Sequence, residues 1–600
     1  MCGLIGQFAL TEKTFYPSTH CLRHRGPDSS GHWLSKDKHC WLGHTRLAIL
    51  DLSPAGHQPF ISHCGSITIV FNGEIYNHLE LRKKIRFSNW RSQSDTETLA
   101  EGLAQFGLSF LLDLRGMFAF AAYITESCQL VLARDRLGIK PLYYQWSNDI
   151  LTFASERQAI ASRQPLSRSE VAEVLSYGHL LTCQDWDRSP SNQINSLPPG
   201  TTVRVNLNRP DTFIRYWPPQ PSPEWSALPL SKYSNSSTVL RKLLEQAVAL
   251  HLQSDVRIAC FLSGGLDSAI LASLASLLGS SPVDSFTVSL QDSRHDEFRD
   301  AALVATHCHS RHHKVLLDSS EVLDWITHAL HCLDVPTVDS LNTYVVSRAA
   351  AEHGFKVALS GLGADELFGG YPSHKFVPLL RLLGFIPSSA RELIIRKSPA
   401  KFRERFSDLS SWSLEQVSIA FRRWVSNSTL TEVGLVPLSP PKLPESHLPH
   451  SWSKICWAEL FSYTEPMLLR DADVMSMSHG LEVRVPFLDH RLVEFALRLP
   501  KSHHRLHKKL LYDSCSDILP TDFRLRPKKG FYLPMREWML GPLLPLCNSK
   551  LLSLCDSGSL NPIWVNQVWS DFVCGAEHWT KAWALVVLGE FVDRSATSRI

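Results

Sequence analysis

Apolar and polar positions change their rhythm twice along this chain. Up to about Tyr144 they form short alternating or continuous apolar runs, such as Ile67 to Phe71 and Met117 to Tyr123, punctuated by Gly, Asn, Asp and Pro. That pattern predicts a strand-rich unit, with one helix over Thr96 to Phe106. Between Trp217 and Ser237 runs PPQPSPEWSALPLSKYSNSS, too rich in Pro and Ser for a helix or central strand, and the domain junction is expected there. Beyond it, Thr238 to Leu252 has helical spacing, Val256 to Leu262 is a short apolar run entering a Gly-rich turn, and an Ala/Leu-rich helix follows from Ala269. Val283 to Leu290 and Lys356 to Leu359 repeat the short-strand pattern, which predicts a doubly wound parallel sheet with ligands at the carboxyl ends of its strands. Residues Ser389 to His450 read as irregular, and no internal repeat is visible.

Composition narrows the class. With 600 residues, 44% hydrophobic and 20% charged, the chain is long enough for two to four folded domains. Its 61 Lys+Arg against 58 Asp+Glu leave +3, far from the basic field of a nucleic-acid-binding protein. The 14 cysteines stand singly with no C-x-x-C pair, which points to a reducing compartment. The opening MCGLIGQFAL has no basic residue before it and stops at Thr11-Glu12-Lys13, unlike a signal peptide. No apolar run approaches about 18 residues, so a cytoplasmic chain with no membrane span is expected.

Cys2 opens the candidate chemistry. Removal of Met1 would put a thiol and a free α-amino group, ordinary pKa roughly 7.7–8.0, on one residue, so that the amine could activate the thiol. After it come RHRGPDSSG (Arg23 to Gly31), LGHTRLAILD (Leu42 to Asp51), FNGEIYN (Phe71 to Asn77), SDTE (Ser94 to Glu97) and RDRLGIKPLYY (Arg134 to Tyr144). In that order they resemble the glutaminase domain of class II, N-terminal-nucleophile (Ntn) glutamine amidotransferases. The resemblance implies an Ntn-hydrolase four-layer αββα sandwich over residues 1–215. It implies that Cys2 attacks the glutamine amide, while the Asn72 side chain and Gly73 N–H stabilise the oxyanion. Arg46 would hold the glutamine carboxylate, and Glu74 and Asp95 its α-ammonium.

A second set lies past the 216–237 linker. FLSGGLDS, Phe261 to Ser268, lacks the Lys of a Walker loop, yet a Gly-rich turn between strand and helix aims N–H groups at phosphate. It resembles the pyrophosphate loop of ATP pyrophosphatases, and LSGLGADELFGGY, Leu359 to Tyr371, resembles the second signature of asparagine synthetases. LLRDADVMSMSHGLEVRVPFLDHRLVEFA, Leu468 to Ala496, resembles a helical segment of that family. The chain is thereby identified as similar to glutamine-hydrolysing asparagine synthetases, with an ATP-pyrophosphatase domain over 238–600. ATP would meet Leu262, Ser263, Gly264, Gly265, Asp267, Ser268, Val288, Ser360 and Gly361. Asp267 and Asp365 would ligate Mg²⁺, and Lys508 would stabilise the departing pyrophosphate.

The resemblance implies ATP-dependent amidation of a carboxylate through an acyl-adenylate, with glutamine as nitrogen donor. By default aspartate is the acceptor and asparagine the product. It also implies an ammonia channel, allows a homodimer, and brings no nucleic acid or membrane partner. Three departures bear on the acceptor: Leu362 stands where relatives often carry an acidic residue, VPTVDSLNTY (Val335 to Tyr344) offers no Arg, and Tyr512 replaces an Arg. Another carboxylate, on a sugar or a secondary metabolite, is the alternative. A catalytically silent homologue should have lost Cys2, Asn72, Asp267 or Asp365, and none is lost. HCHSRHH, His307 to His313, has zinc-like spacing but is expected to be a surface turn entering a strand.

Overall fold

The computed structural model of the protein describes residues 2–12, 18–161, 164–182, 186, 193–208, 211–217, 233–279, 281–290, 298–317, 321–448, 450–503, 508–523 and 533–596. Most of the expected linker, 218–232, lies outside the described residues.

Two six-stranded antiparallel sheets build the first unit. One runs in the order Asn195–Ser196, Tyr143–Ser147, Ile150–Ala154, Gly3–Ala9, Cys40–Arg46, Ser29–Leu34. The other runs Thr212–Arg215, Thr201–Val205, Gln129–Arg134, Gly116–Ile124, Ile67–Ile75, Phe60–Ile61. Strand Gly116–Ile124 shows why its sequence is apolar throughout. Its Phe118, Phe120 and Ala122 face helix Asp95–Phe106, while Ala119, Ala121 and Tyr123 pack against Leu4, Phe8 and Leu42 of the opposite sheet. A strand buried on both faces has no polar side to alternate with. Leu22 and Ile160 cover Ile5 and Trp41 on the outside of the first sheet, completing the expected αββα layering. The predicted helix over Thr96 to Phe106 forms from Asp95, with Ser94 accepting the Thr96 N–H as its cap.

The second unit centres on a five-stranded parallel sheet ordered Arg311–Leu317, Asp284–Leu290, Ile258–Phe261, Val357–Leu359, Glu482–Arg484. Helices on both faces make it doubly wound. Cys260 and Leu359 meet Ala269, Ile270 and Val304 on one side, and Ala259, Phe286 and Ala358 meet Ala349 and Ala350 on the other.

Two expectations need correction. The helix expected from Ala269 begins at Leu266, because Gly265 serves as its N-cap and puts Asp267 and Ser268 in the first turn. Residues Ser389 to His450 are not irregular throughout. Helices Ser388–Lys397, Ala400–Phe406 and Leu414–Arg422 bury Ile395, Phe406, Leu414 and Val417 around Trp412, and helix Asn427–Glu432 buries Leu430 in a separate apolar cluster. Ser413 and Ser426 cap the last two, accepting N–H bonds from Gln416 and Thr429.

Buried ion pairs join the units. Arg25 reaches Glu156 at 2.9 Å and Asp473 at 2.7 Å, Lys140 lies 3.4 Å from Asp473, and Arg115 meets Asp489 at 2.6 Å.

Candidate active site

The first centre is assembled where strand Gly3–Ala9 begins. The Cys2 N–H donates to Asn72 Oδ1 at 3.0 Å, and its carbonyl accepts from Arg25 Nε at 3.2 Å. This leaves Asn72 Nδ2 buried without a hydrogen-bond partner, a donor held dry beside the thiol. Next to it, Gly73 has φ +151°, and a Cβ there would stand 2.1 Å from the Met117 carbonyl oxygen. Only glycine lets these strands approach so closely. Burial pushes the Cys2 thiol above its ordinary value, while the Leu47 N–H and the Arg46 guanidinium pull it down. Arg46 is near the thiol, but its guanidinium donates to the carbonyls of Leu50 (3.2 Å), Asp51 and Ser53 (2.8 Å).

Glu74 and Asp95 are brought together as expected, both buried. Asp95 Oδ2 accepts the Ile75 N–H at 2.7 Å, yet burial and the Glu482 charge push its carboxyl up to about 6. Burial, then the charges of Glu482 and Asp95, push Glu74 well above the ordinary carboxylate range. Two of the neighbours setting these values, Glu482 and Arg484, belong to the parallel sheet of the second unit. Arg484 Nε donates to Glu482 Oε1 at 2.5 Å, its Nη2 stands 3.4 Å from Glu74 Oε1, and its Nη1 donates to the carbonyls of His251 and Gln253. Burial alone would raise Glu482, but Arg484 overrides it and holds the carboxyl down at about 2. The sequence reading assigned no role to either residue. The available signal was the two charges inside the apolar run LEVRV.

The second centre is a cavity of about 270 Å³ at the carboxyl ends of the parallel strands. Leu262, Ser263, Asp267, Ser268, Val288, Ser360, Gly361 and Asp365 all line it. Gly264 and Gly265 shape the turn between strand and helix, which its own serines hold. The Ser263 N–H donates to Ser268 Oγ at 3.0 Å, and the Gly265 N–H to Ser263 Oγ at 3.2 Å. A Cβ on Gly361 would sit 3.0 Å from that of Asp267, so two Gly-rich turns meet back to back.

Lys508 completes the arrangement. Its Nζ is 2.5 Å from Asp365 Oδ1 and also bonds Asp267, joining the two carboxylates expected to bind metal. Burial would lower the Lys508 pKa, but Asp267 and Asp365 raise it, so the ammonium stays charged. Two carboxylates converging on one cation beside a phosphate-type turn suit a hard divalent ion, and the donor set fits Mg²⁺.

On the remaining wall, Leu362 offers only hydrocarbon, Asn342 Oδ1 is buried without a partner, and Tyr371 O–H donates to Glu366 Oε1 at 2.9 Å. Tyr512 is not among the residues lining the cavity, and Lys509 lies over its ring. The His307 to His313 cluster is the turn and strand expected. His312 Nε2 pairs with Thr287 and His313 Nε2 with Asp284, each at 2.8 Å, and no group of three or more His, Cys, Asp or Glu among the described residues is placed to hold a metal. No described helix is long and apolar enough to cross a membrane.

The αββα unit with Cys2 at its first strand, joined to a parallel sheet with a phosphate-type turn, defines a glutamine-dependent amidotransferase coupled to a nucleotide-using ligase. Comparison with known proteins makes the class specific. The "Glutamine amidotransferase domain" family model matches residues 1–217, and the "Asparagine synthase" model matches 239–592. The chain therefore belongs to the asparagine synthase family, a family of enzymes. It is 29% identical over 650 residues to a putative glutamine-hydrolysing asparagine synthetase of Mycobacterium tuberculosis, covering 100% of this chain and 99% of the relative. It is 28% identical to glutamine-hydrolysing asparagine synthetase 1 of Bacillus subtilis, over 90% of this chain and 88% of that one. A third relative, "Amidase chry2" of Gibberella zeae, is 27% identical over 88% and 86%. Among solved structures, the Bacillus subtilis glutamine phosphoribosylpyrophosphate amidotransferase matches at a TM-score of 0.29 and 14% identity, over 54% of this chain and 92% of that one, too loosely to bear on the chemistry.

Proposed function

We propose that the enzyme hydrolyses glutamine at Cys2 and uses the ammonia to amidate a carboxylate that ATP has activated as an acyl-adenylate, with aspartate as acceptor and asparagine as product. The supporting observation is the physical link between the centres. Arg484, which faces Glu74 through its guanidinium, accepts the Ser360 N–H on its carbonyl at 2.8 Å, and Ser360 lines the nucleotide cavity.

On this reading residues 1–215 form the glutaminase and 238–600 the synthetase. With Met1 removed, the Cys2 α-amine takes the thiol proton, and Asn72 Oδ1 orients that amine. Sulfur adds to the glutamine amide carbon, and the Asn72 Nδ2 and Gly73 N–H donors meet the oxyanion. The C–N bond breaks with proton return to nitrogen, ammonia leaves, and water releases glutamate from the thioester. Arg46 binds the glutamine carboxylate once freed from its turn carbonyls, and Glu74 and Asp95 bind the ammonium.

In the cavity, the acceptor carboxylate displaces pyrophosphate from the α-phosphate of ATP, and ammonia then displaces AMP to give the amide. Ser263 to Ser268 cradle the phosphates, and Lys508 offsets charge on the leaving pyrophosphate. Mg²⁺, held by Asp267 and Asp365, would add the charge neutralisation that phosphate transfer requires. The reading puts the enzyme in the cytoplasm, where ATP and a reducing medium for Cys2 are at hand.

The test measures AMP and pyrophosphate release from ATP, Mg²⁺ and glutamine, with aspartate present or omitted, and identifies the product by mass. Aspartate-stimulated release with asparagine formation is expected. Cys2→Ala should lose glutamine use but keep turnover with added ammonia, and loss of both would contradict separate centres. Glutamine hydrolysis unaffected by aspartate would reject aspartate as acceptor. Leu362, which brings no charge to the cavity wall, favours screening other carboxylates next.

A further inference from the structure

Residues 373–403 differ from the rest of the molecule. They hold seven Lys or Arg and one Glu, in a chain whose totals are 61 basic and 58 acidic. Helix Ser373–Leu380 runs on as a tighter turn through Phe385, and helix Ser388–Lys397 follows. Val377, Leu380, Leu383 and Ile395 face inward, packing with Phe406, Trp412 and Leu414. The same segment has a second apolar stripe facing water: Phe376 (43% exposed), Leu379 (59%), Leu382 (57%) and Phe385 (76%), one every third residue, beside Leu393 (53%) and Ile394 (42%). Elsewhere among the described residues, exposed large apolar side chains come singly or as one adjacent pair along the sequence. Lys375, Arg381, Arg396, Lys397, Lys401 and Arg403 are exposed around the stripe, and none is in an ion pair among the described residues.

We propose that this face rests on an anionic lipid surface. A helical surface with Phe and Leu on one side and Lys and Arg around it lies in the headgroup region, its apolar stripe below the phosphates and its cations among them. The charge is strongly positive, seven cations against the single Glu392, so a second copy docked face to face would be repelled by it. The apolar stripe, for its part, needs an occupant that shields hydrocarbon from water, which a free anion cannot do. The catalytic cavity draws no lining residue from 373–403, so the enzyme could work while docked.

The test is co-sedimentation of the full chain with vesicles of phosphatidylcholine alone or mixed with phosphatidylserine. The parent should bind the mixed vesicles at least tenfold better, and binding should fall as salt shortens the Debye length from about 10 Å at 0.1 M to about 3 Å at 1 M. L382D/F385D removes the stripe and R396E/K397E reverses the charge. Both change exposed side chains, so both should keep the parent's melting temperature and glutamine-driven turnover while losing at least tenfold in vesicle binding. No binding of the parent to mixed vesicles, or unchanged binding by L382D/F385D, would overturn the proposal. Binding to polyglutamate without vesicle binding would overturn it in favour of an acidic protein, and a parent dimer that L382D/F385D converts to monomer, again without vesicle binding, in favour of self-association.

Discussion

Lys508→Met isolates the interaction that joins Asp267 and Asp365 in the proposed nucleotide centre. Methionine keeps most of the chain length and removes the ammonium, leaving Asp267 and Asp365 to face each other without the cation they share. At about 3 Å and an effective dielectric of about 20, each ammonium–carboxylate attraction is worth roughly 5 kcal/mol before desolvation is counted. Both carboxylates are largely buried, so the net loss should approach the roughly 3–5 kcal/mol typical when one partner of a buried pair is removed. For a cooperative unit of about 360 residues, with about 2.1 cal/mol/K of unfolding entropy per residue, that lowers the melting temperature by about 4–7 °C. Scanning calorimetry of the ligand-free protein reads this directly. Two arms separate charge from packing. Lys508→Arg should restore most of the loss, and Mg²⁺ should raise the melting temperature of Lys508→Met more than that of the parent, because the ion then meets carboxylates with no ammonium to displace. Equal melting temperatures for parent and Lys508→Met, or equal responses to Mg²⁺, would refute the view that Lys508 holds the two carboxylates together.

Two further expectations concern the other centre and the helical segment beside it. Asn72→Ala removes the orphan donor and the Cys2 N–H acceptor together, so glutaminase kcat should fall about 10²–10³-fold while ammonia-driven turnover is unchanged, and a steady-state glutamate assay checks it. Asp471 is pushed up to about 7 by burial and by Asp339, against the pull of Arg470 and the Thr337 hydrogen bond. Its folded value exceeds the ordinary 3.8, so the stability it contributes is full below about pH 4 and is lost as pH rises through about 7. Asp471→Asn should match the parent in denaturant titrations near pH 4 and exceed it by about 2–4 kcal/mol at pH 8, and parallel pH profiles would refute the assignment.

Where the structure follows the sequence, the determinants are local. Two-sided burial explains the unbroken apolar run of Gly116–Ile124, and Ser94 marks the helix start at Asp95. The SGG turn was legible because a strand, a tight turn and a helix N-terminus lie within a few residues of one another. What stayed hidden depends on distance along the chain. Lys508 meets Asp267 across 241 residues, and the three helices between Ser388 and Arg422 are set by a small core around Trp412 that no periodicity in so Pro-broken a stretch announces. The early start of the helix at Leu266 was missed because Gly265 is a poor helix former and a good cap, and only the backbone shows which property prevails.

Glu482 and Arg484 carry the same lesson into function. Glu482 helps raise Asp95 to about 6 and pushes Glu74 above the ordinary carboxylate range, so on the proposed reading the charge offered to a glutamine ammonium is set partly by a strand of the other unit. A bound ammonium would favour ionised Glu74 and Asp95, and those new charges would act on Arg484, which already faces Glu74 at 3.4 Å. The Arg484 backbone is bonded to Ser360 in the nucleotide cavity, so a shift of the arginine has a route of one residue to the second centre. Buried pairs such as Arg25–Asp473 and Arg115–Asp489 add little net stability over hydrocarbon packing, but each penalises any displacement that would leave a charge unpaired. Placed at the junction, they hold the two units in the one register in which Glu482 stands beside Asp95 and Glu74.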